Sequence, residues 1–386
     1  MHLYLHIPFC KQACHYCDFH FSTNLSAKTD LVNAICQEIA LQKNYLSSCS
    51  LETIYFGGGT PSLLTESELG QIFETIHRIF DVQQEAEITL EANPDDLTVH
   101  KINDLKTFVN RLSIGIQSFH EPHLLLMNRA HNAIEAENCV RIAQDAGLEN
   151  LTIDLMYGLP FTPPQPSPKN RGGSFSKDIW QQNLDKATAL DISHISAYCL
   201  TIEEKTAFGK WLKKGKLTPI DEETAAQQFE TLVAHLTTHQ YEQYEISSFA
   251  RAGQYARHNS SYWKRRAYLG VGPSAHSFSG TSRQYNVANN SQYINVLGQN
   301  KIPCVVEELT ISDQINDYLL TSLRTVWGCD LRVVRAIGGN SWESIQQPTI
   351  EIFIKENWLQ LNDEVLYLTP KGKLFVERIS SDLFLV

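Results

Sequence analysis

The chain has 386 residues, of which 42% are hydrophobic, and a formal net charge of −11. That length predicts a large domain plus a smaller one with a substantial core, and the composition excludes global disorder. The acidic balance disfavours broad binding to nucleic acid or anionic lipid, and neither a signal peptide nor a run of about 18 apolar residues that would span a membrane is visible, so a cytoplasmic location is expected.

Over the first two hundred residues, short apolar β-type runs alternate with amphipathic helical patterns. The predicted strands are Leu3–Ile7, Thr53–Phe56, Glu87–Glu91, Arg111–Ile116, Leu151–Met156 and His194–Cys199, and the clearest helices between them are Lys28–Asn44, Glu66–Ile79 and Ala133–Asp145. Ala146-Gly147 is a helix stop before the fifth strand. Strict alternation means an α/β fold with a parallel sheet and right-handed crossovers. Six repeats fall short of a closed eight-fold barrel, so a partial (βα)6 barrel is the expected architecture. Phe161–Lys177 interrupts the pattern with four prolines and the Gly172-Gly173 pair, and reads as a solvated insertion or a lid.

After about residue 305 the alternation stops. Asp313–Val326 and Thr349–Asn357 read as helices, Trp358–Leu361 and Val365–Leu368 as a hairpin, and Thr369 or Pro370 starts a last helix. Helices followed by a small hairpin predict a winged-helix-like α+β module. The expected division is therefore a barrel unit over 1–300 and this module over 305–386. From Val305 to Val386 seven Lys and Arg face twelve Asp and Glu. A nucleic-acid reader needs cations for phosphates, so this module is expected to pack on the barrel rather than bind DNA.

Nine cysteines stand at 10, 14, 17, 36, 49, 139, 199, 304 and 329. An odd count without a signal peptide argues against a disulfide scaffold. Six are scattered; Cys10, Cys14 and Cys17 form C-x3-C-x2-C directly after the first strand. In a parallel α/β fold that is the functional rim, and three thiolates there suit an iron–sulfur cluster with one open iron, or a zinc ion completed by His6, His15 or His20. Gly57-Gly58-Gly59-Thr60-Pro61-Ser62 follows the second strand without the Lys-Ser/Thr of a phosphate-cradling loop. Later strand ends carry Glu91, Gln117 (with Arg129 beyond it) and Asp154, polar groups suited to a zwitterion, ribose and adenine.

The cysteine spacing with the aromatic Tyr16 resembles the radical S-adenosylmethionine (SAM) superfamily. The segments YLHIPFC, FGGGTPS, EANPDD, GIQSF, NRAH, DLMYGLP and LTPKGKLF resemble, over nearly the whole chain, the oxygen-independent coproporphyrinogen III oxidase family. The resemblance implies a [4Fe–4S] cluster on Cys10, Cys14 and Cys17, SAM on the remaining iron, and an electron donor for the cluster. It also implies that Tyr4, Tyr16, Gly58, Gly59, Thr60 and Glu91, together with Gln117, Arg129 and Asp154, surround the SAM.

Two features bear on the branch. Phe19 occupies the position where the oxidase has a fourth cysteine, and the first strand begins at residue 3, without the oxidase's longer leading segment; both departures argue against porphyrinogen decarboxylation. His258-Asn259-Ser260-Ser261-Tyr262-Trp263 resembles the H-N-x-x-Y-W mark of the heme chaperone branch, HemW. That branch implies heme as cargo, His258, Tyr262 and Trp263 as its contacts, and an acceptor protein, a membrane-associated respiratory enzyme being one candidate. Imidazole is a good axial ligand and the two aromatics offer flat apolar faces. A loop histidine beside two core aromatics is the plainer reading of the segment alone. Arg251, Arg257, Lys264, Arg265 and Arg266 flank it, suited to heme propionates or to a solvated basic patch. A porphyrinogen oxidoreductase and a radical enzyme on another substrate are the alternatives.

Overall fold

Apolar side chains at every second position of the early strands face a layer of amphipathic helices, and that periodicity builds the main body of the protein. The computed structural model describes residues 1–160 and 172–385, with residues 172–178 described by their backbone. Strands β1 (His2–Ile7), β2 (Ser50–Gly58), β3 (Asp81–Ala92), β4 (Arg111–Gln117), β5 (Leu151–Tyr157) and β6 (His194–Cys199) run parallel in sequence order. Beyond β6 the sheet continues with the antiparallel β7 (Glu242–Glu245) and β8 (Ser248–Ala250). On the other side, β9 (Tyr268–Val271) pairs parallel to β1 and leads to β10 (His276–Phe278), β11 (Ser282–Asn286) and β12 (Cys304–Glu308). The six expected strands are thus the middle of a twelve-stranded sheet. The added strands are only three to five residues long, too short to stand out by periodicity.

The two faces of the parallel strands differ. Leu3, Leu5 and Ile7, Ile54 and Phe56, Leu112, Ile114 and Ile116, and Leu151, Ile153 and Leu155 enter the main apolar core. The alternate positions are His2, Tyr4 and His6, Thr53 and Tyr55, Glu87 and Glu91, Arg111 and Ser113, and Thr152 and Asp154. A polar face on buried parallel strands is unusual, because such strands are ordinarily apolar on both sides. Here the polar groups are spent on each other and on the site described below.

Helix boundaries follow capping chemistry. Glu66–Ile79 and Ala133–Asp145 match the expected limits, each opened by a capping box, Thr65 with Glu68 and Asn132 with Glu135. The first helix ends at Leu41, earlier than Asn44. Its buried Glu38 accepts from Gly272 N–H at 2.9 Å, Asn286 Nδ2 at 2.7 Å, Gln42 Nε2 at 2.9 Å and the Tyr293 hydroxyl, which ties β9–β11 to the barrel. The reading of Gly172-Gly173 as an interruption of the pattern is corrected: a helix runs over Gly172–Ala189, and residues 161–171 of the insertion lie outside the described residues.

A second core gathers Ile315, Leu319, Leu331, Trp342, Phe353, Leu366 and Ile379. Its elements are helix Ile311–Ser322, β13 (Cys329–Asp330), helices Leu331–Gly338 and Ser341–Lys355, then β14 (Leu359–Asn362) and β15 (Val365–Leu368), with sheet order β13-β15-β14. This is a winged-helix-like arrangement. Helix Leu331–Gly338 was not foreseen; the last helix starts at Val376 after a short 3-10 turn. The arginines here are paired: Arg332 with Asp330 at 2.8 Å, and Arg335 with Glu343 at 3.1 Å and with Glu364. The module holds the barrel edge through Ile246 N–H to Arg324 O and Val326 N–H to Tyr244 O, both 3.0 Å, and Lys373 Nζ to Gln243 Oε1 at 2.7 Å.

Candidate cluster and SAM site

The cysteine loop leaves β1 at Ile7 and is pinned before it turns. Ser22 N–H donates to Pro8 O at 2.7 Å, Cys10 N–H to Ser22 O at 3.1 Å, and the buried Phe9 anchors the loop from below. Its far side is held by His15 N–H to Met127 O at 3.0 Å and by Asn128 Nδ2 to Ala13 O at 2.8 Å. Asn128 takes a left-handed conformation, φ 57°, as the C-cap of helix Glu121–Met127, a place Asn tolerates well. That turn delivers Arg129 to the cysteines.

Arg129 is the hub. One terminal nitrogen donates to Cys14 Sγ and Tyr16 Oη, both 3.3 Å, and the other to Asn93 Oδ1 at 2.7 Å and Gly115 O at 2.6 Å. Its buried Nε has no partner among the described residues. Burial opposes the charge, but the Tyr16 and Cys14 groups beside it hold Arg129 firmly protonated. Thr60 donates to Cys10 Sγ at 3.5 Å and accepts from Asn93 Nδ2 at 3.1 Å. Burial pushes the Cys10 thiol up and the Cys17 thiol up to about 11. Thiols of this kind ionise when a metal replaces the proton.

The donor set fits a cluster better than a single ion. Among the described residues no three His, Cys, Asp or Glu side chains converge on one metal position; a cubane instead places each thiolate on a different iron. The histidines considered for zinc are committed elsewhere. His6 bonds the Tyr4 hydroxyl at 3.1 Å and His20 O at 3.0 Å, His15 Nδ1 bonds Leu126 O at 2.9 Å, and His20 Nε2 bonds Asn290 Oδ1 at 2.7 Å.

The glycine turn is required by the protein as well as by a ligand. Gly58 has φ 105°, and a Cβ there would lie 2.6 Å from the His6 ring; one at Gly59 would lie 2.7 Å from Phe9 O. Gly58 N–H donates to Glu91 Oε2 at 3.1 Å and Tyr55 Oη to Glu91 Oε1 at 2.8 Å. Burial raises Glu91 to about 7, with those two bonds lowering it and Asp154 raising it. Burial also raises Asp154 to about 6, against Arg111 and the Ser196 and Ser113 hydroxyls. Gln117 closes β4 at φ 65°, its amide 3.2 Å from where a Gly115 Cβ would stand.

A cavity of about 420 Å³ opens beside this rim. Its walls carry Tyr4, Gly58 and Glu91 together with Asn259, Tyr262 and Trp263, and also Tyr55, Tyr198, Glu245, Arg324 and Phe19, which is 73% exposed. Tyr4, Gly58 and Glu91 of the residues that resemblance assigned to SAM, and Tyr262 and Trp263 of those it assigned to heme, therefore share one cavity, while Tyr16, Gly59, Thr60, Gln117, Arg129 and Asp154 lie outside its walls. His258 does not line it. It is fully buried, with Nδ1 2.6 Å from Thr53 Oγ1, Nε2 2.8 Å from Tyr262 Oη and its ring stacked on Tyr55. Glu87 fixes the start of helix Arg257–Trp263, accepting from the N–H groups of Arg257 and His258 at 2.9 Å.

The flanking cations are likewise away from the cavity. Arg251 pairs with Asp191 at 2.6 Å, Arg257 and Arg265 reach the carbonyls of Glu85 and Gln314, and Lys264 lies 4.1 Å over the Trp327 ring. The cation that does line the cavity is Arg324, 5.7 Å over Trp263 and paired with Glu377. Sequence reasoning missed Arg324, Asn93, Tyr55 and Glu245. Only Tyr55 and Asn93 had a signal, one as the alternate-face residue before the glycines and the other as part of the EANPDD segment.

A family model described as the radical SAM superfamily matches residues 4–166. The heme chaperone HemW of Bacillus subtilis is 33% identical over 375 residues, 96% of each chain. The heme chaperone HemW of Haemophilus influenzae is 30% identical over 392 residues, covering 99% of this chain and 97% of its own. Among solved structures, coproporphyrinogen III oxidase (HemN) from Escherichia coli superposes with a TM-score of 0.82 at 20% identity, covering 99% of this chain and 89% of its own; at that identity the likeness concerns the fold.

Proposed function

The chain belongs to the HemW family of the radical SAM superfamily, and on that premise we propose that it is a heme chaperone that holds heme against a cluster-and-SAM rim and passes it to an acceptor protein. The observation that carries this reading is the shared cavity, which Tyr262 and Trp263 line together with Tyr4, Gly58 and Glu91.

Cys10, Cys14 and Cys17 would hold a [4Fe–4S] cluster, with SAM completing its fourth iron; together they supply one-electron chemistry when reduced. The residues of this chain do the rest. Arg129 balances thiolate charge while fixing Tyr16, Asn93 and Cys14 in one lattice. Glu91 presents a buried carboxylate to a cationic amino group, aligned by Tyr55 and Gly58. Phe19, Tyr198 and Trp263 offer apolar faces around the cavity, and covering porphyrin surface with them would contribute several kcal/mol at about 25 cal/mol per Å². Arg324 suits a propionate, exchanging its exposed Glu377 partner for the ligand carboxylate.

The test is titration of anaerobically reconstituted protein with hemin, followed by a porphyrinogen assay on the same sample. Saturable binding of one heme per chain, lost or weakened in Trp263→Ala, supports the chaperone. Decarboxylation of coproporphyrinogen III above background, with reductant and SAM present, would replace it by the oxidase reading.

A further inference from the structure

Beneath the cavity runs an unbroken line of hydrogen-bonding groups: Tyr262 Oη, His258 Nε2 at 2.8 Å, His258 Nδ1 to Thr53 Oγ1 at 2.6 Å, and Thr53 Oγ1 to His2 Nδ1 at 2.9 Å. Tyr262 lines the cavity at one end, and His2 lines a groove with Glu52 and Arg266 at the other. Thr53 has one hydroxyl proton and two imidazole partners, so it donates to one ring and accepts from the other. When it donates to His2, His258 donates from Nδ1 and its Nε2 is a bare acceptor for the Tyr262 hydroxyl. When it donates to His258, Nε2 carries the proton and the Tyr262 oxygen accepts. Both arrangements leave every ring neutral, and the line interconverts them when each proton moves one place along it while one is taken up at one end and one released at the other.

Neutral groups are favoured along the whole line: burial holds His258 well below the usual histidine range and lowers His2 to about 4, and burial, then Tyr268, Tyr4 and Glu91, hold the Tyr262 phenol well above its ordinary value, so it ionises only when a metal replaces its proton. His258 has no free nitrogen for a metal, whereas the phenol oxygen of Tyr262 is the terminal group of the line on the cavity side. Phenolate is an established class of axial ligand to ferric heme, and a phenol needs a base to become one.

We infer that Tyr262, rather than His258, ligates the heme iron, with His258, Thr53 and His2 as the path by which its proton leaves. In the step, the Tyr262 O–H bond breaks and an Fe(III)–O bond forms. His258 Nε2 takes the proton, His258 gives its Nδ1 proton to Thr53, and Thr53 gives its own to His2 Nδ1, which releases one proton from the imidazolium to solvent in the groove. No electron moves, and the net change is one proton released per ferric heme bound. His258 is then a positioning residue, and its burial under Tyr55 and Glu87 is what keeps it aimed. The inference rests on the heme-cargo reading and specifies the ligand within it.

The full chain is titrated with hemin and examined by resonance Raman and EPR spectroscopy. Phenolate ring modes that shift when the protein is grown with ring-labelled tyrosine are expected in the unsubstituted protein, a readout that needs no variant. Tyr262→Phe should remove those modes, move the Soret band and lower hemin affinity at least tenfold, with its fold checked by circular dichroism. Thr53→Val should lower hemin affinity less than Tyr262→Phe does while weakening the phenolate modes and slowing ligation, an effect that packing alone would not produce. Saturable hemin binding without tyrosine-sensitive modes overturns the ligand assignment and leaves the chaperone reading standing. No saturable hemin binding at all defeats the chaperone reading itself, and the inference with it.

Discussion

The ring of Tyr55 lies on that of His258, with centroids 4.9 Å apart and an interplanar angle of 28°. The same Tyr55 donates its hydroxyl to Glu91 at 2.8 Å, so one side chain spans the helix under the cavity and the carboxylate on its rim. Tyr55→Phe keeps the stack and deletes the bond. A hydrogen bond to a charged group contributes about 1.5–3 kcal/mol, so SAM affinity should fall about tenfold or more in an equilibrium titration, while hemin affinity changes little. Unchanged SAM affinity would mean that the hydroxyl bond to Glu91 does not align the carboxylate.

The elevated Glu91 gives SAM binding a pH dependence whose sign is fixed. Burial first, then the neighbouring Asp154, holds Glu91 at about 7 against the Tyr55 and Gly58 bonds. Below that value a cationic ligand must displace a proton; above it the carboxylate is already ionised. SAM affinity should therefore rise with pH up to about 7, by at most about tenfold per unit, and level off above it. Without ligand the same group favours the folded state at low pH, and that advantage is lost as pH rises from the unfolded value towards about 7. Calorimetric titrations at pH 6, 7 and 8 check this, and Glu91→Gln should flatten the profile. A midpoint nearer 6 would transfer the effect to Asp154.

Much of this site was legible because its residues are local in sequence. The cysteine spacing, the glycine turn and the strand ends each announce themselves within ten residues, and their strands alternate in a way that fixes the sheet. His258 illustrates the opposite case. Its residue type suggested a ligand, but its ring Nδ1 is taken by Thr53, 205 residues away, and its backbone N–H by Glu87, 171 residues away, and no local pattern reveals those partners. Arg324 was equally silent, since an exposed-looking helix-end arginine reaches the cavity only through the packing of the second core on β7. The short strands β7 to β12 escaped because three to five residues cannot establish a period.

Cluster assembly should separate the cysteines by position. Cys10→Ser, Cys14→Ser or Cys17→Ser should each abolish the iron–sulfur absorbance after reconstitution, while Cys36→Ser, whose thiol faces Gln71 O at 3.8 Å, should leave it intact. Arg129→Met keeps the stem but removes four hydrogen bonds around Cys14. Iron content should fall by at least half, and SAM should no longer perturb the residual cluster signal in EPR. Full occupancy in Arg129→Met would show that the loop is organised without it.

Stability should be most sensitive at Glu38, far from the cavity. Glu38→Ala leaves the donors of Gly272, Asn286, Gln42 and Tyr293 without their acceptor in a buried site. Each stranded group costs about 1–3 kcal/mol, so partial relaxation still leaves an expected loss of more than about 3 kcal/mol in urea unfolding. Asn33→Ala on the same helix removes an exposed bond to Gln71 and should cost under about 0.5 kcal/mol.

Sharing one cavity predicts that SAM and heme weaken each other. Tyr4, Gly58 and Glu91 line the same 420 Å³ as Tyr262 and Trp263, so SAM seated on the rim removes wall area that a porphyrin would otherwise cover. Hemin titrations of the reconstituted protein with and without saturating SAM should show a lower affinity with SAM, by about threefold or more. Linkage supplies an internal control: the factor by which SAM weakens hemin must equal the factor by which hemin weakens SAM. Cys10→Ser, which should not hold a cluster, should bind hemin with one affinity whether or not SAM is added, because SAM would lack its iron. Identical hemin affinities with and without SAM in the unsubstituted protein would show that the two ligands occupy separate regions, and would move the heme contacts away from Tyr262 and Trp263. A SAM effect that persists undiminished in Cys10→Ser would mean instead that Glu91 and the glycine turn bind SAM without the cluster.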